Sequence, residues 1–553
     1  MNDKKHLPRV THHATLHAQG GTRRAGFVLA IWFVLAGLPV LLLAGHTLIR
    51  LASGDLPRPL ALVIPSGRRL PLFGKTVGFA LAVALPGTLI GLLGAGAVYT
   101  SASARLRRLT RILLPMAVIP PYIHALAWGG LLRGLNRTLA AAGMARLPEQ
   151  GFVPSLWVQM MALLPFVFGI IHLGFSSLPA ESVNAARLLG ADARAARRVI
   201  LPMLAPWLAV ACLFQFLVSL LDDSVPSLFQ FNLYPLTIFS EYSIRYDAAH
   251  AMLLSLPVLA ISLPAVRLLM AALRNLPLTG SGQTGSDPRW RLPAPLRIAT
   301  ALGLALCLLQ IFLPLGSLLA QALPSFSDAR WLADALPDLG GTLAVGLLSA
   351  GITLPVAWTA ADAIHTRRAG HPVWWWLMLV PLALPAPLIG VGLIHTWNAP
   401  ALSWLGLYNT SVMPALAATL RFLPFSAMLL LAAMKRQHPD QLDAVRLLQR
   451  SALHGLFTVR LPLLRGALLG AGLLAAVLSF AELGATLLLL PPGAGSLTIR
   501  IYNYLHYGQS DVIAGLCLVL YVVALGLGVG FARLLARGQD AAPGEAAPPD
   551  TIT

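Results

Sequence analysis

The chain has 553 residues, of which 57% are hydrophobic and 11% are charged. This composition, with a mean hydropathy of +0.74, excludes an ordinary soluble globular protein and indicates a membrane protein. The net charge of +19 does not indicate nucleic-acid binding, because no basic stretch is interleaved with aromatic residues.

Apolar windows recur along the whole chain, and each is long enough for a helix to cross a hydrocarbon core of about 30 Å. We count about twelve such windows, which predicts an all-α, polytopic membrane protein. The predicted spans are 25–49, 77–99, 112–133, 154–176, 206–222, 250–273, 297–320, 339–361, 373–395, 411–434, 466–486 and 512–536.

The N-terminal segment 1–24 is basic and precedes a long apolar run, so we expect a cytoplasmic tail followed by a membrane anchor. With this orientation most Lys and Arg residues fall on the cytoplasmic side, and the C-terminal segment 538–553 is cytoplasmic as well. The basic loop 50–76 is the exception, since it falls on the outer side. We therefore expect a multi-pass protein of a bacterial inner membrane with both termini in the cytoplasm.

The sequence divides into two similar halves. Segment 274–296, rich in Pro, Gly, Ser and Thr, is expected to be a cytoplasmic linker between two permease domains of six helices each, 25–273 and 297–537. Several matches recur at spacings of 259 to 261 residues, which predicts two parallel repeats. The matched segments are LLPF at 163–166 with FLPF at 422–425, and LTI at 236–238 with LTI at 497–499.

A short, arginine-bearing segment interrupts the first half between the fourth and fifth predicted spans. Ala185 and Ala186 place small residues on a helix that Gly190 can end in a left-handed conformation. Asp192 is positioned to cap a second short helix, and Pro202 is expected to stop it. The pattern predicts a helix-turn-helix at the membrane surface, suited to docking another protein.

The second half repeats this pattern with changes. Ser451 stands at the position equivalent to the capping residue Asp192, and Pro462 is expected to stop the helix, as Pro202 is in the first half. We call 181–202 and 441–462 the first and second docking loops.

Both loops resemble the EAA loop of the permease subunits of ABC importers, in which Glu-Ala-Ala is followed by a glycine and then by Leu-Pro. Asn184 stands at the place of the glutamate in the first loop. In the second loop Asp443, Ala444 and Val445 replace Glu-Ala-Ala, and Gln449 replaces the glycine. We therefore expect the two loops to dock unequally.

The fused two-copy form resembles the permeases of ferric-ion, thiamine and similar uptake systems. The resemblance implies two copies of a separate ATP-binding cassette ATPase, which hydrolyse ATP, and an external or periplasmic solute-binding protein. It implies a translocating subunit in the lipid bilayer, with no nucleic-acid partner, no cofactor of its own and no ATPase site. FGKT at 73–76 ends like a phosphate-binding loop, but Arg69 stands where that motif needs a glycine.

Three ionisable residues are candidates for the translocation path. Arg421 falls inside the tenth predicted span, where a charge is costly unless it faces a cavity or a partner. Glu482 is the candidate counter-ion, and Asp222 lies at the matched position of the fifth span. These residues either line the path or form structural ion pairs. No metal site is expected.

Two alternatives remain at this stage. A secondary transporter of the major-facilitator type also has twelve spans in two parallel halves. That class carries a Gly-x-x-x-Asp-Arg-type motif between its second and third spans, where this chain has TSASARLRRLTR at 100–111. A membrane-embedded enzyme is disfavoured because the sequence has no intramembrane cluster of paired His, Asp or Glu.

Overall fold

The computed structural model describes residues 26–540 with gaps. The residues left out within this range are 27, 29, 57–58, 102, 104, 107–118, 189–191, 277–291, 328–329, 367–370, 438–451, 492 and 508–509.

The protein is an all-α, polytopic membrane protein, and the described residues contain no strand. We number the α-helices of eleven or more residues in chain order. They are α1 (Leu38–Ala52), α2 (Arg69–Thr100), α3 (Pro121–Ala141), α4 (Phe152–Ser176), α5 (Leu201–Leu221), α6 (Tyr234–Arg245), α7 (Ala248–Arg274), α8 (Ala294–Ala322), α9 (Arg330–His365), α10 (Ala386–Trp397), α11 (Val412–Lys435), α12 (Arg465–Ser479), α13 (Leu497–Tyr507) and α14 (Ser510–Asp540).

Within the described residues, eight helices are long and apolar enough to cross a membrane. Two further candidates are helix pairs with a sharp bend, of 105° between Val373–Ala383 and α10, and of 69° between Leu456–Leu463 and α12. The first bend follows from Pro385, because the residue before a proline avoids helical geometry, and Leu384 is extended at ψ 126°. The predicted spans 25–49 and 112–133 are described only in part, so the number of twelve spans stays a prediction.

The first helix of each half packs against the other half. Helix α1 packs on α10 of the second half, besides α7 of its own half, and α8 packs on α2 and α3 of the first half, besides α14 of its own. Buried or part-buried hydrogen bonds join α8 to α3, one of them between Gln310 Nε2 and His124 Nδ1 (3.0 Å) and two more from Trp128 and Ser317. The latter two run from Trp128 Nε1 to Gln310 Oε1 (3.0 Å) and from Ser317 Oγ to the Ala127 carbonyl (2.7 Å).

Helices α2 and α8 approach each other so closely that only glycine fits at the crossing. A Cβ atom added to Gly303 would lie 2.5 Å from Leu93 Cβ and 2.9 Å from the Gly94 backbone nitrogen. Small residues at such crossings let two membrane helices pack backbone to backbone. The crossing therefore fixes the second half against the first.

Matched threonines make matched hydrogen bonds in the two halves. The hydroxyl of Thr76 on α2 accepts from the backbone N–H of Tyr234 at the start of α6 (2.9 Å). The hydroxyl of Thr342 on α9 accepts from that of Leu497 at the start of α13 (2.9 Å). At the other end of these helices, Thr100 donates to the carbonyl four residues before it (2.8 Å), and so does Thr366 (2.7 Å). In both pairs the threonine of the second half lies 266 residues after the threonine of the first half, so α2 and α9 are equivalent helices of the two halves.

Candidate functional site

The first docking loop consists of two short helical segments leading into α5. Residues Ala180–Leu188 form a helix on which Asn184 and Ala185 are exposed and Ala186 is buried. Gly190, the predicted turn residue, lies outside the described residues. Asp192 is the first residue of the next helical segment, Asp192–Ala195, rather than the residue before it.

A π-turn, Ala196–Ile200, connects this segment to α5. The Leu201 N–H donates to the Ala196 carbonyl five residues back, and Pro202 follows in the first turn of α5. The prediction that Pro202 stops the helix is wrong. A proline lacks an N–H and clashes with the carbonyl four residues back, and widening the preceding turn relieves this without ending the helix.

The second docking loop has the same turn at the same place. The π-turn Leu456–Arg460 again precedes Leu-Pro, and the Leu461 N–H donates to the Leu456 carbonyl. Here the chain bends two residues after Pro462, at Leu464, so the stop predicted at this proline is closer to the observed geometry. The other predicted docking residues of this loop lie outside the described residues. They are Asp443, Ala444, Val445, Gln449 and Ser451.

A small cavity lies between the halves, about 30 Å³ in volume. This is room for about two water molecules and excludes an organic solute from the present conformation. The first half contributes Leu221, Asp222, Asp223, Ser224, Ser227, Leu236 and Phe239, and the second half Ala386, Pro387, Arg421, Leu483, Gly484, Leu487 and Tyr502.

The carboxylates at this cavity lie just beyond the ends of their helices, rather than inside them. Arg421 on α11 donates to Glu482 Oε2 (2.8 Å), and Glu482 Oε1 accepts from the Ala485 N–H (2.9 Å). Glu482 is 1% exposed, so the pair is shielded from solvent. Asp222 accepts instead from the Ser224 hydroxyl at 3.0 Å. The three candidate path residues are thus brought to one place, and one pair among them is a direct ion pair.

Charge at the cavity is unequal between the halves. Among the described residues that line it, the three carboxylates Asp222, Asp223 and Glu482 come from both halves, and Arg421 is the one guanidinium. At the offset of the LLPF and FLPF segments, the first-half residue matching Arg421 is Ala162. The site therefore has acids from both halves around a cation from one half only.

A layer of aromatic rings lies on the docking-loop side of the cavity. Phe166 and Phe425, at the matched positions of the two repeats, lie 6.1 Å apart between ring centroids. Phe214 contacts Phe166 at 5.4 Å and Phe425 at 5.6 Å, and Phe422 contacts Phe425 at 6.2 Å. We call Phe166, Phe214, Phe422 and Phe425 the aromatic layer.

The position of this layer follows from the helices that carry it. Phe425 lies one turn after Arg421 on α11, which runs towards the second docking loop. Phe214 lies about two turns before Asp222 on α5, which starts at the first docking loop. Both helices therefore place the layer on the docking-loop side of the cavity.

The described residues hold no group of three or more His, Cys, Asp or Glu that could bind a metal ion. Cys212, Cys307 and Cys517 are free thiols.

No protein-family model matches the chain. Two curated proteins resemble part of it, the 2-aminoethylphosphonate transport system permease proteins PhnV of Salmonella typhimurium (strain LT2) and of Salmonella paratyphi A. Each is 28% identical over 228 residues, which is 41% of this chain and 82% of the relative. The relatives are therefore half as long as this chain. The chain is a multi-pass membrane protein partly homologous to transport-system permeases.

Proposed function

We propose that the chain is the permease subunit of an ABC importer in a bacterial inner membrane, with two permease domains fused in one polypeptide. The observation that carries this proposal is the pair of π-turns before Leu201-Pro202 and Leu461-Pro462, spaced by 260 residues. Two equivalent turns in one chain suit two copies of one partner. In this proposal the partners are separate ATP-binding cassette ATPases, which bind and hydrolyse ATP.

Two observations support the fusion of two domains. The relatives match this chain over most of their own length but have half of its length. The paired hydrogen bonds of Thr76 with Tyr234 and of Thr342 with Leu497 repeat one contact in each half. We propose domain limits of 25–273 and 297–537, with both termini cytoplasmic.

The translocation path in this proposal runs between the halves, through the cavity and the aromatic layer. The small cavity corresponds to a closed path that ATP-driven movement of the docking loops opens. Solute arrives from an external solute-binding protein. The chain itself binds no cofactor and catalyses no reaction.

We propose a small solute that carries a positive group. The carboxylates of Asp222, Asp223 and Glu482 outnumber the guanidinium of Arg421 among the described lining residues, which favours a cation. The relatives are named for 2-aminoethylphosphonate, which carries a cationic amino group and an anionic phosphonate at neutral pH. The resemblance to the ferric-ion and thiamine permeases rests on sequence pattern alone.

Site-directed cross-linking tests this function. Ala185→Cys and Phe457→Cys place a thiol on each docking loop, since both residues are exposed. We expect both variants to cross-link to the ATPase in native membranes. Met144→Cys, exposed in the loop predicted to lie outside, is the control and should not react with it. An ion-gradient-driven transporter would give no cross-link at either loop, and the chain alone would accumulate solute in vesicles.

A further inference from the structure

An ion pair and an aromatic ring fasten the second docking loop to α9. Arg460 is the last residue of the second π-turn, and its Nη2 donates to Asp362 Oδ1 at 2.6 Å. Its guanidinium carbon lies 5.3 Å from the centroid of the Trp358 ring. Trp358 and Asp362 are one turn apart on α9 and therefore share a face of that helix. We call Arg460, Asp362 and Trp358 the clamp.

The clamp is shielded from water. Asp362 is 5% exposed, and the Arg460 side chain is 23% exposed. A planar guanidinium can bond a carboxylate and stack on an aromatic ring together, which a lysine cannot reproduce. Movement of the second docking loop therefore moves α9 with it, unless a shielded ion pair is broken.

Helix α9 joins the clamp to α11, a helix that lines the cavity. It packs extensively on α11, and the Thr353 hydroxyl on α9 donates to the Thr419 hydroxyl on α11 at 3.3 Å. Thr419 is two residues from Arg421, which lines the cavity. A contiguous set of described contacts thus joins the second docking loop to the proposed path.

The first half has no such clamp at the matched positions. When Thr100 is aligned with Thr366, the first-half residue equivalent to Asp362 is Gly96, and the one equivalent to Trp358 is Leu92. When the two Leu-Pro pairs are aligned, the first-half residue equivalent to Arg460 is Ile200, which is buried at 5% exposure. The first docking loop is instead continuous with α5 through its π-turn.

We propose that Arg460 is a positioning residue that transmits movement of the ATPase to the second half through α9. This role rests on the proposed function. The two docking loops would then be coupled by different means, the first by a continuous helix and the second by the clamp. Loss of Arg460 should separate ATPase binding from opening of the path.

The test needs no known solute. Ser227 lines the cavity, so Ser227→Cys reports on its opening to a membrane-impermeant thiol reagent, in a chain whose three native cysteines are alanine. The chain is placed in nanodiscs with the ATPase that co-purifies with it. Labelling is compared without nucleotide and with ATP and vanadate.

We expect Arg460→Ile, which installs the residue of the first copy, to lower the ATP-dependent change in labelling about tenfold while the ATPase stays bound. Arg460→Lys should be intermediate, because it keeps the charge but not the planar group. Leu347→Ala, at an exposed position of α9 outside the clamp, is the control and should respond as the parent chain does.

A double variant guards against simple misfolding. Arg460→Ile with Asp362→Asn removes both charges of this pair, so it should fold and should still respond weakly to ATP. A full response from this variant, or from Arg460→Ile with ATPase bound, would overturn the coupling role alone. Absence of any ATPase on the parent chain would contradict the proposed function, and this role with it.

Discussion

Arg421 and Glu482 form a shielded ion pair, 61 residues apart in sequence, beside a cavity that also exposes two carboxylates of the first half. The pair has no charged counterpart at the position matching Arg421, which is Ala162. It therefore holds α11 to the segment after α12 in the second half only.

Arg421→Met should destabilise the protein by about 3–5 kcal/mol, because Glu482 would remain buried without its cation. Arg421→Met with Glu482→Gln should recover much of this loss, since neither residue then carries a charge. Thermal unfolding in detergent measures both variants. Equal melting temperatures of the single variant and the parent would show that the pair contributes nothing to stability.

Phe425→Ala should let small ions leak through the protein without ATP, because it removes the ring that contacts all three other members of the aromatic layer. Potassium efflux from loaded vesicles measures the leak. Phe312→Ala, on the exposed surface of α8, is the matched control. Equal efflux from the two variants would contradict closure of the path by this layer.

Gly303→Ala should lower the stability of the protein and Gly316→Ala should not, although both glycines lie on α8. A Cβ at Gly303 overlaps α2, which should cost about 1–3 kcal/mol. A Cβ at Gly316 meets no atom within 4 Å, so alanine there should be neutral or stabilise by up to about 1 kcal/mol. Melting temperatures test this, and similar values for the two variants would refute the close crossing of α2 and α8.

Asp247, between α6 and α7, should stabilise the protein in a pH-dependent way. Burial raises its pKa, but the hydrogen bond and charge of Arg50 and two backbone N–H groups lower the pKa further, so it lies below its usual range. The ionised carboxylate is therefore favoured in the folded state. Its contribution is complete above the unfolded pKa of about 3.9 and is lost as the pH falls through the lower folded pKa.

Asp247→Asn should accordingly lower stability at pH 7 by no more than about 1 kcal/mol, because the pair is about a quarter exposed. The difference from the parent chain should shrink as the pH falls below about 4. Melting curves across this range provide the measurement. A difference that grows on acidification would show that the sign is wrong.

Hydropathy predicted the all-α membrane fold, since a long apolar window has few other solutions in a bilayer. Charge also identified Arg421 and Glu482 as residues to examine together. The aromatic layer was missed, although the segments LLPF and FLPF were compared, because a pattern match does not show that two helices face each other. The clamp was missed because Arg460 and Asp362 are 98 residues apart.

The basic segment 50–76, predicted to be an outer loop, is an exception to the charge rule, and the structure places its cations Arg50, Arg69 and Lys75 in helices α1 and α2. Arg50 pairs with Asp247, Arg69 donates to the carbonyls of Ala61 and Leu62, and Lys75 lies 6.0 Å from the Phe231 ring centroid. These cations therefore all have partners within the protein. A count of charges along a sequence cannot distinguish them from residues that orient the chain in the membrane.

Native mass spectrometry of the complex, extracted gently from the membrane, tests the central claim most directly. One chain with two docking loops should carry two ATPase subunits. Ala185→Trp should weaken binding at the first docking loop and shift the population to one, because a large side chain would occupy an exposed docking position. A parent chain that carries no ATPase, or never more than one, would contradict the account.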